Sequence, residues 1–197
     1  MKNIIIITGL MICFACKAQS PILPLEDWYE EEPNAYYKDI DNDLNSFEGT
    51  WLYTNGTTSL KIILSKEVMY FNDFYYEDLI TGEYQYIEDG IEVINTLTSL
   101  GSSVGYESAI NGNHISKDCN FLPSSDCIDG ENRLRVSLTD PMTGHVATTI
   151  LHKRIINGQE AILAYVIFNQ LVNYDGSSLP EPEPNMPWQQ EYIMIKQ

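Results

Sequence analysis

Apolar and polar residues alternate with a period of two through most of the chain after Gly49. Successive side chains of a β-strand point to opposite faces, so this alternation predicts strands with one buried face. In residues 133–139, leucine or valine occupies every second position. Asn-Gly pairs at 55–56 and 157–158 are strong signals for two-residue hairpin turns. The pattern therefore predicts an all-β fold built from antiparallel hairpins.

Turn residues divide this pattern into short strands, and no segment has the period of an amphipathic helix. Residues 99–132 are predicted to be irregular, because glycines and two cysteines interrupt the alternation there. We expect strands at 50–54, 58–65, 68–71, 75–87, 91–97, 133–139, 145–154, 161–168 and 192–195.

About eight or nine antiparallel strands in one domain form either a closed barrel or a sandwich of two sheets. Consecutive hairpins favour the barrel, and so does Gly82, which lies in the middle of a long strand where a bulge or tight bend is expected. The prediction is an antiparallel up-and-down β-barrel over residues 47–197, with a β-sandwich as the alternative.

The N-terminus has the three parts of a secretory signal. Lys2 supplies a positive charge, residues 4–14 form an apolar run about half as long as a bilayer span requires, and small residues follow. Two processing events fit residues 1–19: lipidation at Cys16 after a degenerate lipobox, or ordinary cleavage near Ala18 or Gln19. The first predicts a lipoprotein of the periplasm or outer membrane, and the second predicts a soluble secreted protein.

Residues 20–46 combine three prolines with many acidic side chains. Their apolar residues follow neither the helical nor the strand period, so the segment is predicted to bury too little surface to order itself. We expect a mobile tether between the membrane and the barrel.

The chain carries 28 acidic and 11 basic residues, a formal net charge of −17. Nucleic acids and anionic lipid head groups would repel such a surface. The composition therefore argues against nucleic-acid partners and predicts membrane contact through a lipid anchor alone.

Two cysteines, Cys119 and Cys127, lie beyond the signal and are eight positions apart. In an oxidising compartment they are expected to form a disulfide, which in so short a loop stabilises by about 2 to 3 kcal/mol. The alternative is a metal or redox site, for which His114 is the one further ligand nearby in sequence.

A search for catalytic patterns yields no nucleophile, base or metal set, so the chain is predicted to be non-enzymatic and to need no cofactor. Residues 39–43 begin like a calcium loop, but Leu44 and Thr50 stand where that loop requires glycine and glutamate. No metal site is predicted.

Tyrosine is unusually abundant, with 13 residues, several of them in the strands near residue 80. Tyr76, Tyr84 and Tyr86 share one face of the predicted strand 75–87, where they would line an aromatic cavity for a small apolar ligand. The alternative is ordinary packing within a β core.

Gly49 and Trp51 form a G-x-W pattern at the start of the first predicted strand. This pattern resembles the opening of lipocalins and other calycin barrels. The resemblance implies that Trp51 plugs one end of a barrel and that the barrel holds a small apolar ligand. It also implies an arginine packed on Trp51, for which Arg133, Arg135 and Arg154 are candidates.

A broader likeness covers most of the chain, through residues 16–19, 43–56, 76–84 and 195–197. These segments resemble an uncharacterised family of small secreted proteins of Bacteroidota. The resemblance supports export and implies no activity.

The resulting expectation is an exported, membrane-anchored β-domain that binds a small apolar ligand or an envelope protein. The first alternative is a structural or accessory envelope protein with a filled core and no ligand. An enzyme of unidentified type is the third possibility.

Replacement of Cys16 separates the two processing events. We expect Cys16→Ser to move the chain from the membrane fraction to the soluble fraction of a lipoprotein-processing bacterium, because the acyl chains can no longer be attached. Cys13→Ser is the matched control and should leave the anchor in place. If wild-type protein is already soluble and its N-terminal peptide begins near residue 19, the lipoprotein assignment is wrong.

Overall fold

The computed structural model describes residues 21–25, 31–119, 125–169 and 182–197. The predicted signal and Cys16 lie outside these residues. Among the described residues, no helix is both long and apolar enough to cross a membrane. The eleven strands are β1 (Ile22–Pro24), β2 (Tyr36–Lys38), β3 (Gly49–Asn55), β4 (Thr58–Phe71), β5 (Tyr76–Glu88), β6 (Ile91–Asn95), β7 (Ile110–Ser116), β8 (Arg133–Thr139), β9 (Val146–Ile156), β10 (Gln159–Phe168) and β11 (Gln189–Lys196).

Eight of these strands form a closed antiparallel barrel in the order β3-β4-β5-β7-β8-β9-β10-β11. The barrel closes where β11 pairs with β3, with Lys196 opposite Trp51. The predicted barrel is confirmed, and the sandwich alternative is wrong because one continuous ring of paired strands encloses a single core.

Two strand predictions differ from the structure. The segments 58–65 and 68–71 form one strand, β4, which continues through a bulge between Glu67 and Tyr70. The segment 99–132, predicted to be irregular, contains β7. That strand carries polar residues and a glycine at most positions, so it lacks the alternation by which strands are recognised.

One edge of β5 pairs with three strands: β7, which belongs to the ring, and β2 and β6, which lie outside it. The parallel strand β2 meets its first two residues, β7 pairs with residues 80–82, and β6 pairs with residues 85–88. Strand β1 in turn runs parallel to β2. Three strands therefore share one edge of β5.

The predicted mobile tether over 20–46 is wrong for the part that the structure describes. Tyr37 is only 2% exposed in β2, and Leu44 is fully buried in a 3-10 turn that covers one end of the barrel. Both elements are too short to show a period, which explains why their buried residues gave no recognisable pattern.

The interior of the barrel is filled by side chains. The void among its inward-facing residues measures about 10 Å³, about the least that a single water molecule needs. Trp51 is fully buried at the end that the 3-10 turn covers, and its indole N–H donates to the carbonyl of Phe47 at 2.9 Å. Two lysines, Lys153 and Lys196, lie over its ring where the resemblance implied an arginine.

The predicted disulfide between Cys119 and Cys127 is confirmed. Two residues within its loop fasten it to the barrel, since Arg154 donates to Asp126 at 2.6 Å and Ser125 donates to Glu191. The disulfide thus belongs to a structural element at the wall of the barrel.

Gly82 does not mark a bulge, because its pairs with Leu64 and Ile110 are regular. The site instead lacks space: a Cβ atom there would lie 2.4 Å from the carbonyl oxygen of Ile63 and 2.7 Å from a Leu64 methyl carbon. Glycine is required because the backbone of β4 approaches so closely.

We expect Gly82→Ala to lower the free energy of unfolding by about 2 to 3 kcal/mol, because a backbone oxygen cannot move aside as a flexible side chain can. Urea denaturation measures the change. Gly130→Ala is the control: its Cβ would meet nothing within 4 Å, and only its φ of +86° opposes the change, so a loss of about 1 kcal/mol is expected. Equal losses would contradict the steric explanation.

Candidate binding cleft on the outer wall of the barrel

The outer wall of the barrel carries a cleft of about 330 Å³. It lies between the N-terminal segment, the ends of β5, β7 and β8, and the 3-10 turn Gly105–Glu107. Its lining is Leu25, Glu31, Tyr37, Asp39, Ile40, Asp41, Asp43, Tyr75, Glu77, Tyr106, Asn113, His114, Ile115 and Arg135. We call this set the outer cleft.

Glu77 is the most deeply buried acid of the outer cleft, with 3% of its surface exposed. The inward face of β5 carries the even-numbered residues Ile80, Tyr84 and Tyr86, so Glu77 belongs to the opposite face. Strand β2 pairs with β5 at Glu77, and Asn113 of β7 and Tyr106 of the 3-10 turn reach its carboxylate, so the side chain is buried where it borders the cleft.

Three neutral groups donate hydrogen bonds to Glu77. Asn72 Nδ2 and the Tyr106 hydroxyl donate to Oε1 at 2.9 Å each, and Asn113 Nδ2 donates to Oε2 at 2.6 Å. Burial raises the pKa of the Glu77 carboxyl, and these hydrogen bonds only partly oppose the rise. The cleft therefore holds a carboxyl whose charged form is costly.

The neighbouring acids Asp39 and Asp78 are stabilised differently. Lys66 Nζ lies 2.7 Å from Asp39 Oδ2 and 4.0 Å from Asp78 Oδ2. Asp39 also accepts from the backbone N–H groups of Asp43 and Leu44, which holds the 3-10 turn on the barrel. Within the described residues no cluster of three potential ligands for a metal ion occurs, and Asp39 serves as a fastening group.

Aromatic rings form one wall of the outer cleft. Tyr37 and Tyr75 meet edge to face with their centroids 4.8 Å apart. Burial, followed by the charges of Glu77 and Glu31, raises the pKa of the Tyr75 hydroxyl to about 12. Tyr106 is held against Tyr70, with a centroid distance of 5.7 Å. The three rings that line the cleft are therefore held in place by ring contacts.

The opposite rim carries His114 and Arg135, which are paired across β7 and β8. Burial, and then the charge of Arg135, lowers the pKa of His114, which favours the neutral imidazole at pH 7. A second hollow of about 310 Å³ continues past this rim and shares Tyr106, Asn113, His114 and Arg135 with the cleft. Together they form a groove along the outer wall.

The tyrosines predicted to bind a ligand lie elsewhere. Tyr84 and Tyr86 are buried within the barrel core, and Tyr76 packs against Phe71 at a centroid distance of 4.8 Å. Neither the outer cleft nor the interior void has any of the three in its lining. Cys119 and Cys127 are also outside the cleft.

The sequence reasoning missed Glu77, Tyr75 and Tyr106 as site residues. It followed the aromatic, even-numbered face of β5, whereas the cleft uses the opposite face. One signal was available: Glu77 is an acid on the face of β5 opposite the barrel core, which a strand buried on one face would normally expose to solvent. What distinguishes Glu77 from an ordinary surface residue is its burial beside β2 and the turn at 105–107, which the sequence pattern does not show.

The fold and the cleft define a class of protein: a closed antiparallel β-barrel with a filled interior and a polar, aromatic groove on its outer wall. The chain belongs to a family of unknown function (DUF6705), whose model matches residues 1–197. No curated protein and no solved structure matches the chain.

The raised pKa of Glu77 predicts a pH dependence of stability. A carboxyl whose pKa is raised by folding binds its proton more tightly in the folded state. The protonated carboxyl therefore stabilises the fold fully at a pH below its unfolded-state pKa of about 4.5. This stabilisation is lost as the pH rises through the pKa of the folded state. Glu77→Gln removes this loss. Relative to wild type, the variant should therefore gain stability as pH rises above 4.5, as measured by urea denaturation across pH. A difference independent of pH would contradict the assignment.

Proposed function

We propose that the mature chain is an exported, non-enzymatic binding protein that holds a small ligand in the outer cleft and is anchored to the membrane through Cys16. One comparison supports the site: the outer cleft measures about 330 Å³, whereas the void inside the barrel measures about 10 Å³. Small-molecule sites begin at about 300 Å³, so of these two spaces the outer cleft has the room and the barrel interior does not. The disulfide is consistent with an oxidising compartment.

The lining supports a polar ligand rather than the apolar one expected from the sequence. Acids, amides, an arginine and tyrosine rings surround the cleft, and its main apolar contacts are Leu25, Ile40 and Ile115. A purely apolar ligand would cover the exposed carboxylate of Asp41 without giving it a hydrogen bond, which is unfavourable. A ligand with polar and short apolar parts fits the lining better.

The second candidate is a structural or accessory envelope protein that binds no small ligand. The filled interior favours it, because a barrel without an internal cavity has the packing of a scaffold. In that case the cleft would be a consequence of docking the N-terminal segment, and an envelope protein would be the partner.

A cleft-filling variant tests the proposed function. Ile40 lines the outer cleft and is 53% exposed, so Ile40→Trp adds a large ring in the cleft with little demand on the core. Ile155 is 68% exposed outside the cleft, and Ile155→Trp is the matched control. Saturation-transfer NMR would measure binding of glucose, glutamate, butylammonium and butyrate.

We expect at least one of these four compounds to bind wild type and Ile155→Trp, and to bind Ile40→Trp at least about tenfold more weakly, because the added ring occupies the ligand volume. Binding that is equal in both variants would place the site elsewhere. Failure of all four compounds to bind wild type would overturn the proposal in favour of the structural role.

A further inference from the structure

We propose that the ligand of the outer cleft carries an organic cation, a primary ammonium or guanidinium group on a short apolar chain, and that Glu77 receives this cation. The inference rests on the proposed function, because it specifies the ligand of the same cleft.

The charge around the outer cleft favours a cation. Five acids line it, and Lys66 compensates one of them, Asp39. Besides these five acids, the lining holds one arginine, Arg135. A cleft with one sign of charge concentrates ions of the opposite sign. An anionic ligand would meet these acids at close range and is disfavoured.

Glu77 has the surroundings of a receptor for that cation. Its three hydrogen-bond donors are two amides and a hydroxyl, all of them neutral. Among the described residues, no lysine, arginine or histidine nitrogen lies within 4 Å of its carboxylate. A buried carboxylate without a cationic partner is unfavourable, and an incoming ammonium group would remove that cost.

The next residue in β5 provides an internal comparison. Asp78 is equally buried, yet Lys66 and the Tyr36 hydroxyl reach it from the protein itself. The chain thus places a cationic side chain, Lys66, near Asp78. No cationic side chain of the described residues lies within 4 Å of the carboxylate of Glu77, the acid that borders the cleft. That difference between adjacent carboxylates is the observation that carries the inference.

The remaining lining matches the rest of such a ligand. The faces of aromatic rings attract cations, and Tyr37, Tyr75 and Tyr106 all border the cleft. Leu25 and Ile115 offer apolar surface for a short alkyl chain. A neutral sugar could use the same rings and amides, but it would leave the charge of Glu77 uncompensated.

Three probes of similar size and different charge test the inference: butylammonium, butanol and butyrate, at one ionic strength. Each would be titrated into ¹⁵N-labelled protein, followed by the backbone amide signals of residues 77, 106 and 113. We expect butylammonium to shift these signals saturably, with butanol and butyrate binding at least about tenfold more weakly. Equal binding of butanol and butylammonium would overturn the inference.

Two variants locate the interaction. Glu77→Gln should weaken butylammonium binding at least about tenfold, because it removes the buried charge. Asp89→Asn is the matched control, since it removes one acid from the exposed turn at the other end of β5 and should leave binding unchanged. If Glu77→Gln does not fold, Glu31→Gln at the exposed rim replaces it, with an expected loss of about threefold.

The outcomes also separate this inference from the proposed function. Glucose binding that Ile40→Trp abolishes, without butylammonium binding, would overturn the cation and leave the cleft as a binding site. Binding of none of the compounds would overturn both. Butylammonium binding that is unchanged in Glu77→Gln, or in the folded Glu31→Gln, would place the cation elsewhere.

Discussion

The backbone groups along one edge of β5 require hydrogen-bond partners, and β7, the neighbouring strand of the barrel, supplies only some of them. Buried backbone N–H and C=O groups are almost always paired, because leaving one unpaired costs about as much as a lost hydrogen bond. Strand β7 pairs only with residues 80–82 of the thirteen-residue β5. The short strands β2 and β6 pair with the two ends that remain. Docking of the N-terminal segment, closure of the barrel end by Leu44 and formation of the outer cleft all follow from this sharing of one edge.

Adjacent acids on β5 are stabilised in two different ways. Asp78 is held near Lys66 and accepts from Tyr36, Met69 and Asp39, so its charge contributes to fastening the N-terminal segment. Glu77 accepts only neutral donors and keeps a raised pKa. A buried carboxyl with a shifted pKa in a cleft is a recurrent feature of functional sites.

The resemblance to lipocalin-type barrels implied a ligand inside the barrel, whereas the proposed cleft lies on its outer wall. The fold class that it implied agrees with the observed barrel, and Trp51 lies buried at one end as it implied. Ligand binding inside the barrel does not agree with the packing. Leu60, Ile62, Met194 and their neighbours fill the interior, so Tyr84 and Tyr86 act as core residues. Among the described residues, the larger space lies on the outer wall, where the N-terminal segment and the turn at 105–107 border β5.

The sequence by itself determined the local features of this protein. The period-two pattern predicted most strands, the Asn-Gly pairs predicted two hairpins, and the cysteine pair predicted the disulfide, because each of these depends on residues close together along the chain. Only the tertiary structure decided the outer cleft. Tyr37, Glu77, Tyr106 and Arg135 come from four separate elements, and none of them has a local pattern that distinguishes it from a surface residue. They line one cleft because β2 pairs with an edge of β5 and Tyr106 of the turn at 105–107 reaches Glu77, and the pairing of distant strand edges is not encoded in any single segment.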